Sequence, residues 1–158
     1  MHNDERMDEI RMRKLRNANI MLVQFSSYKE RVAGGRLQTL YYKHPFEFRS
    51  LDQLLMIIED VLDSVGFIKD PDDFHSLYEK RPPVFQHFDP GDIYTDEDIN
   101  NKNYENAFSG ELSIRVLHRQ NSSMQGEIKA GERSAYFRSS LELLRMLYEF
   151  MEQRHGEI

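Results

Sequence analysis

Three spacings in this chain carry residue types able to do chemistry. Asp96-x-Asp98-x-Asn100 sets oxygen donors at alternate positions, as a calcium loop does. Such a loop needs Gly at its sixth position and a bidentate Glu at its twelfth, where this chain has Asn101 and Ala107. An exposed acidic turn accounts for the run better. The histidines at 2, 44, 75, 87, 118 and 155 never stand three or four residues apart, so no helical pair of metal ligands forms. Gly34-Gly35 sits in neither a GxGxxG nor a GxxxxGK frame, and reads as a β-turn rather than a phosphate cradle. There is no GxSxG elbow and no cysteine nucleophile. Acid–base work by paired carboxylates stays open, because only geometry selects a pair from among 27 Asp and Glu. The chain therefore reads as non-enzymatic, with no cofactor and no metal expected.

The most informative polar cluster runs from His118 to Gly126. Arg119, Gln120, Asn121 and Gln125 offer several donors suited to carboxylates, phosphates or base edges, and are candidate binding residues. The competing reading is that they brace a turn and a neighbouring helix end, since Asn and Ser are ordinary turn residues. Arg49 and Arg138 join the candidate set because each precedes a serine in a repeated Phe-Arg-Ser. An arginine there also suits pairing with a surface carboxylate or covering apolar surface with its stem.

That repeat organises the elements around these residues. Phe48-Arg49-Ser50 and Phe137-Arg138-Ser139 stand 89 residues apart, and the match runs without a gap to Leu62 and Met151. Upstream the offset is 91: Val23 matches Ile114, Phe25 matches Val116, Gly35 matches Gly126 and Leu37 matches Ile128. Leu54, Leu55, Ile57, Ile58, Val61 and Leu62 fall at helix-face spacing, as do Leu143, Leu144, Met146, Leu147, Phe150 and Met151. Ser139 with Glu142 is a capping box, mirrored by Ser50 and Gln53, and Gly66 is a plausible stop for the first helix. Ahead of each helix, Met21, Val23, Phe25 and Leu112, Ile114, Val116 alternate with polar residues as strands do. Second strands are expected over 36–42 and 125–129, and short third strands end at each Phe-Arg-Ser. Turns fall at Gly34-Gly35, Asn121-Ser122-Ser123 and Ala130-Gly131-Glu132.

The expected fold is α+β: tandem duplicated ββ(β)α repeats, an antiparallel sheet with two equivalent helices packed on it. One amphipathic helix cannot cover a three-stranded sheet, so the copies should share a core in one fused domain. The parts are an N-terminal helix or tail over 1–17, a first repeat over 18–66, an insert over 67–109 and a second repeat over 110–154. The insert is acidic and aromatic, with a short helix expected from Asp72 to Lys80 and aromatics such as Phe88 that suggest docking.

A net charge of −6 over 158 residues argues against nucleic acid without removing it. No run approaches the roughly 18 apolar residues that cross a bilayer, so no membrane contact is expected. The polar N-terminus and zero cysteines point to a cytoplasmic home. The run from Arg115 to Leu147 resembles an uncharacterised family of small proteins of clostridia and related Firmicutes. Its pattern is RQN, a short gap, WQG, then FRS and LEL, met here by Arg119-Gln120-Asn121, Gln125-Gly126, Phe137-Arg138-Ser139 and Leu141-Glu142-Leu143. Met124 stands where that pattern has Trp. The resemblance implies a bacterial cytoplasmic protein and carries no activity.

The leading reading is a non-enzymatic binding or adaptor protein acting through protein–protein contacts, with an unknown partner and with self-association as a homodimer. One alternative is a single-stranded nucleic-acid-binding module using Tyr41 and Tyr42 with Arg115, Arg119 and the basic residues of 1–17. The other is a small-ligand protein with a groove between the repeats, involving Arg49 or Arg138.

Overall fold

The computed structural model describes residues 20–67, 77, 88–93 and 111–156. The expected N-terminal helix or tail, most of the 67–109 insert with its helix from Asp72, and the Asp96–Asn100 turn lie outside them. The elements are β1 (Ile20–Lys29), β2 (Val32–Thr39), β3 (Phe46–Phe48) and α1 (Leu51–Ser64), then β4 (Leu112–His118), β5 (Gln125–Ala130), β6 (Arg133–Phe137) and α2 (Ser140–Gly156). All six strands form one antiparallel sheet in the order β3-β2-β1-β4-β5-β6. The fold is α+β with the same strand–strand–strand–helix order twice.

The two triplets meet where β1 pairs with β4. Met21 faces Ile114, Val23 faces Leu112, and Leu22 faces Ser113. Leu22 and Ser113 are 91 residues apart, the offset of the upstream sequence match, so an approximate two-fold axis passes between them. Exchanging the halves about that point maps the Met21–Ile114 pair onto Leu112–Val23. The side chains at this seam are apolar on one face: Met21, Val23, Leu112 and Ile114 are all essentially without solvent contact. They join Leu54, Ile58, Leu143 and Leu147 from the helices in one core. Burying each such side chain stabilises the fold by roughly 1.5–3 kcal/mol. A ring contact also crosses the halves, since Phe25 of β1 packs at 5.8 Å from Phe150 of α2; within the first half it meets Phe48 of β3 at 5.9 Å.

Both helices start in the same way. Ser50 Oγ accepts from the Gln53 backbone N–H at 3.3 Å while Gln53 Oε1 accepts from the Arg49 backbone N–H at 2.7 Å. Ser139 Oγ accepts from the Glu142 N–H at 3.1 Å while Glu142 Oε1 accepts from the Arg138 N–H at 3.3 Å. Side-chain oxygens thereby satisfy N–H groups that a helix start leaves without intrahelical partners. Gly66, at φ +75°, follows the end of α1, a left-handed position that glycine takes without strain.

The glycine pair departs from the expected turn. Gly34 and Gly35 lie within β2, and the hairpin closes instead at Glu30-Arg31, both with positive φ. The reason lies in a β-bulge. Pairing shifts between Phe25 and Ser27 in β1, and between Val116 and His118 in β4, positions again 91 residues apart. Opposite each bulge the strands approach so closely that a Cβ on Gly35 would sit 2.1 Å from the Gln24 carbonyl oxygen. A Cβ on Gly126 would sit 2.0 Å from that of Arg115. Only glycine fits such an approach. Strand β2 begins at Val32 and ends at Thr39, whose hydroxyl accepts from the Tyr42 N–H at 3.0 Å and so turns the chain ahead of Tyr41 and Tyr42.

Candidate interaction surface

Arg119 leaves the sheet rather than standing on its surface. Pairing of β4 with β5 stops at His118–Gln125, and the Arg119 side chain, 2% exposed, turns inward to the end of α1. Its Nη1 donates to Asp63 Oδ1 at 2.7 Å, Nη2 donates to the Phe67 carbonyl, and the guanidinium lies 5.5 Å from the Phe67 ring centre. Among the described residues its Nε–H has no acceptor. A cation at the last turn of a helix is also favoured by the helix dipole. Arg119 is thus an internal clasp from the second half to the first, the helix-end brace that was the competing reading of this cluster, and its guanidinium is not presented to a ligand.

The mirror position holds a different clasp. Tyr28 stands 91 residues before Arg119 and Glu152 stands 89 after Asp63, and the Tyr28 hydroxyl donates to Glu152 Oε1 at 2.5 Å. That bond holds the Tyr28 phenol above its ordinary value of 10.0, because ionising it would place two negative oxygens together. Glu152 also stands 3.9 Å from Arg31 Nε in an exposed pair. Each hairpin therefore grips the other half's helix. Sequence matching aligns Tyr28 with Arg119 and Asp63 with Glu152, but an alignment of equivalent positions does not show that they touch.

The remaining candidates divide by location. Gln125 closes its own turn: its Oε1 accepts from the Gln120 N–H at 3.0 Å and its Nε2 donates to the Gln120 carbonyl at 2.9 Å. Asn121 and Ser122 take positive φ at the tip. Arg49 and Arg138 are exposed, just past β3 and β6, at the two outer edges of the sheet. They do not border the junction of the repeats, where β1 and β4 are hydrogen-bonded over an apolar core. The groove expected there, with Arg49 or Arg138 lining it, is replaced by continuous sheet. Tyr42 is likewise 2% exposed, so it offers no ring to a base.

Residues 88–93 of the insert form a site the sequence pointed to only by its aromatics. Phe88 stacks on Tyr42 at 4.8 Å and meets Phe46 edge-on at 5.6 Å. Tyr42 pairs with Ile93 in an isolated bridge, and the Lys43 N–H donates to the Asp92 carbonyl at 2.7 Å. The Asp92 carboxylate accepts from the His44 backbone N–H at 3.2 Å and contacts the His44 ring. Burial pushes the Tyr42 phenol up, only partly opposed by its bond to Ser64 Oγ at 2.7 Å. An open cleft of about 510 Å³ lies beside these residues. Its polar groups serve the docking of 88–93, and among the described residues no three His, Asp or Glu side chains gather to hold a metal ion.

Among the described residues, the face of the sheet opposite α1 and α2 is partly to fully exposed. Cross-strand neighbours there run Ile20–Arg115–Glu127–Tyr136 and Leu22–Ser113–Lys129–Ser134, with Gln24–Arg36–Glu47 on the other side of the axis. Charges of both signs are mixed on this face. Arg36 stands 4.0 Å from Glu47, Lys129 stands 3.2 Å from Glu127, and Arg115 faces Glu127. Among the described residues no helix is long and apolar enough to cross a membrane. Comparisons with protein-family models, with curated proteins and with solved structures found no match, so the clostridial resemblance rests on the RQN and FRS residues alone.

Proposed function

We propose that this protein is a non-enzymatic binding or adaptor module that acts through protein–protein contacts on the face of its sheet opposite α1 and α2. The carrying observation is the charge pattern of that face: Arg36, Arg115 and Lys129 each stand beside or opposite a carboxylate. A polyanion needs an uninterrupted positive track, whereas a mixed field suits a protein surface patterned the opposite way. Of the residues that favoured single-stranded nucleic acid, Tyr42 is buried and Arg119 is engaged by Asp63, while the exposed Arg115 stands opposite Glu127. A bacterial cytoplasmic setting accompanies this reading, from the resemblance and the lack of cysteine.

The test compares proteins co-purifying with the tagged chain and with the double variant Arg36→Glu, Arg115→Glu, using Arg145→Ala on the exposed side of α2 as a control. The face variant should lose its specific partner by about tenfold while the control retains it. The reading fails if the partner set is unchanged. It also fails if the unmodified chain instead binds a single-stranded oligonucleotide with steep salt dependence.

A further inference from the structure

The two outer edges of the sheet are built on one plan and finished differently. Strand β6 follows β5 through the two-residue turn Gly131-Glu132, Gly131 having φ +62°, so Ala130 and Arg133 form the closing pair. Such a pair exchanges both backbone hydrogen bonds, and alternation along the ladder then directs those of Ala135 and Phe137 inward. The N–H and C=O groups of Ser134 and Tyr136 point away from the sheet. Arg133, Ser134, Ala135 and Tyr136 are all exposed, Tyr136 by 67%.

The matching positions on the opposite edge, 89 residues earlier, are Pro45 and Glu47. Proline has no N–H to offer, and a charged residue on an edge strand opposes pairing with another strand. Segment 88–93 also docks beside this edge through Asp92 and Ile93. One edge is thus closed to strand addition, while among the described residues its counterpart presents Ser134 and Tyr136 in an open ladder.

We infer that β6 is a self-pairing edge, through which two copies of this chain join antiparallel strands into one continuous sheet. This deepens the adaptor reading by naming one partner. Pairing centred on Ala135 sets Ser134 opposite the second copy's Tyr136, and the reverse, so that all the outward backbone groups of these residues meet partners. The flanks agree with the same register. Glu132 and Arg138 lie three residues either side of Ala135 and both are exposed, so each carboxylate meets a guanidinium of the second copy. An unrelated strand has no such built-in complement at both ends.

Sedimentation velocity and native mass spectrometry of the full chain across concentration test this directly. The wild type should form a dimer, and Ser134→Pro, which imitates Pro45, should weaken it about tenfold or more. Arg138→Glu alone should weaken the dimer, and Glu132→Arg with Arg138→Glu should restore it, independently of any folding cost of the proline. A wild type that stays monomeric at its highest soluble concentration overturns the inference. So does a dimer indifferent to both Ser134→Pro and Arg138→Glu, or an edge occupied only by a different protein. Co-purification with the face variant reports on the adaptor reading separately, so either idea can fall without the other.

Discussion

The two clasps between the halves occupy equivalent places and use different chemistry. In the first hairpin, pairing continues to Lys29–Val32, with Tyr28 opposite Ala33, and the Tyr28 phenol reaches an exposed Glu152. In the second, Ala33 is replaced by Met124, which is wholly buried, and Arg119 leaves the ladder to bury its guanidinium against Asp63 and Phe67. A repeated backbone therefore tolerates an internal ion pair at one end and a solvent-facing hydrogen bond at the other. The difference in energy follows from water. A carboxylate that is 57% exposed loses little when its partner is removed, whereas a buried cation left without its anion bears the desolvation cost alone.

The sharpest test of the equivalence lies at the bulges. Gly35→Ala and Gly126→Ala each force a methyl group against a backbone carbonyl, and each should destabilise by about 3 kcal/mol in chemical denaturation. A harmless alanine in either half would break the correspondence of the two bulges. The clasps should then separate the halves: Asp63→Ala should cost about 2 kcal/mol, discounted because Asp63 is itself 44% exposed, and Glu152→Ala under about 0.5 kcal/mol. Equal costs would remove the contrast drawn above. The smallest effect is alkaline. Because the folded Tyr28 pKa is raised, its contribution is complete below the ordinary value of 10.0 and is lost as pH rises through the higher folded value. The stability difference between wild type and Tyr28→Phe should be flat below pH 10 and shrink above it, and a flat difference throughout would contradict the Glu152 bond.

Much of the scaffold is legible in the chain because it depends on local periodicity. The helix faces through Leu54 and Leu143, the serine caps, and the alternation of Met21, Val23 and Phe25 each follow from spacings within a few residues. The site is less legible. Gly34-Gly35 has the composition of a turn, but a bulge in the neighbouring strand requires it within β2, and no local rule separates the two uses. The type of Arg119 fits a ligand donor or a brace for a helix end alike, and only the end of α1, more than fifty residues earlier in the chain, supplies its carboxylate and carbonyl. Phe88 announces docking by its type and not its target, which is Tyr42.

By itself the sequence determined the repeated strand–strand–strand–helix order and excluded any cysteine chemistry, since both are properties of residue identity and short-range spacing. The tertiary structure alone decided the strand order, the meeting of Leu22 with Ser113, the burial of Arg119 and the contrast between the two sheet edges. Those outcomes depend on which distant segments share a core and which polar groups lose water when they do. That is a balance of packing and desolvation that forms only when the two halves fold against each other.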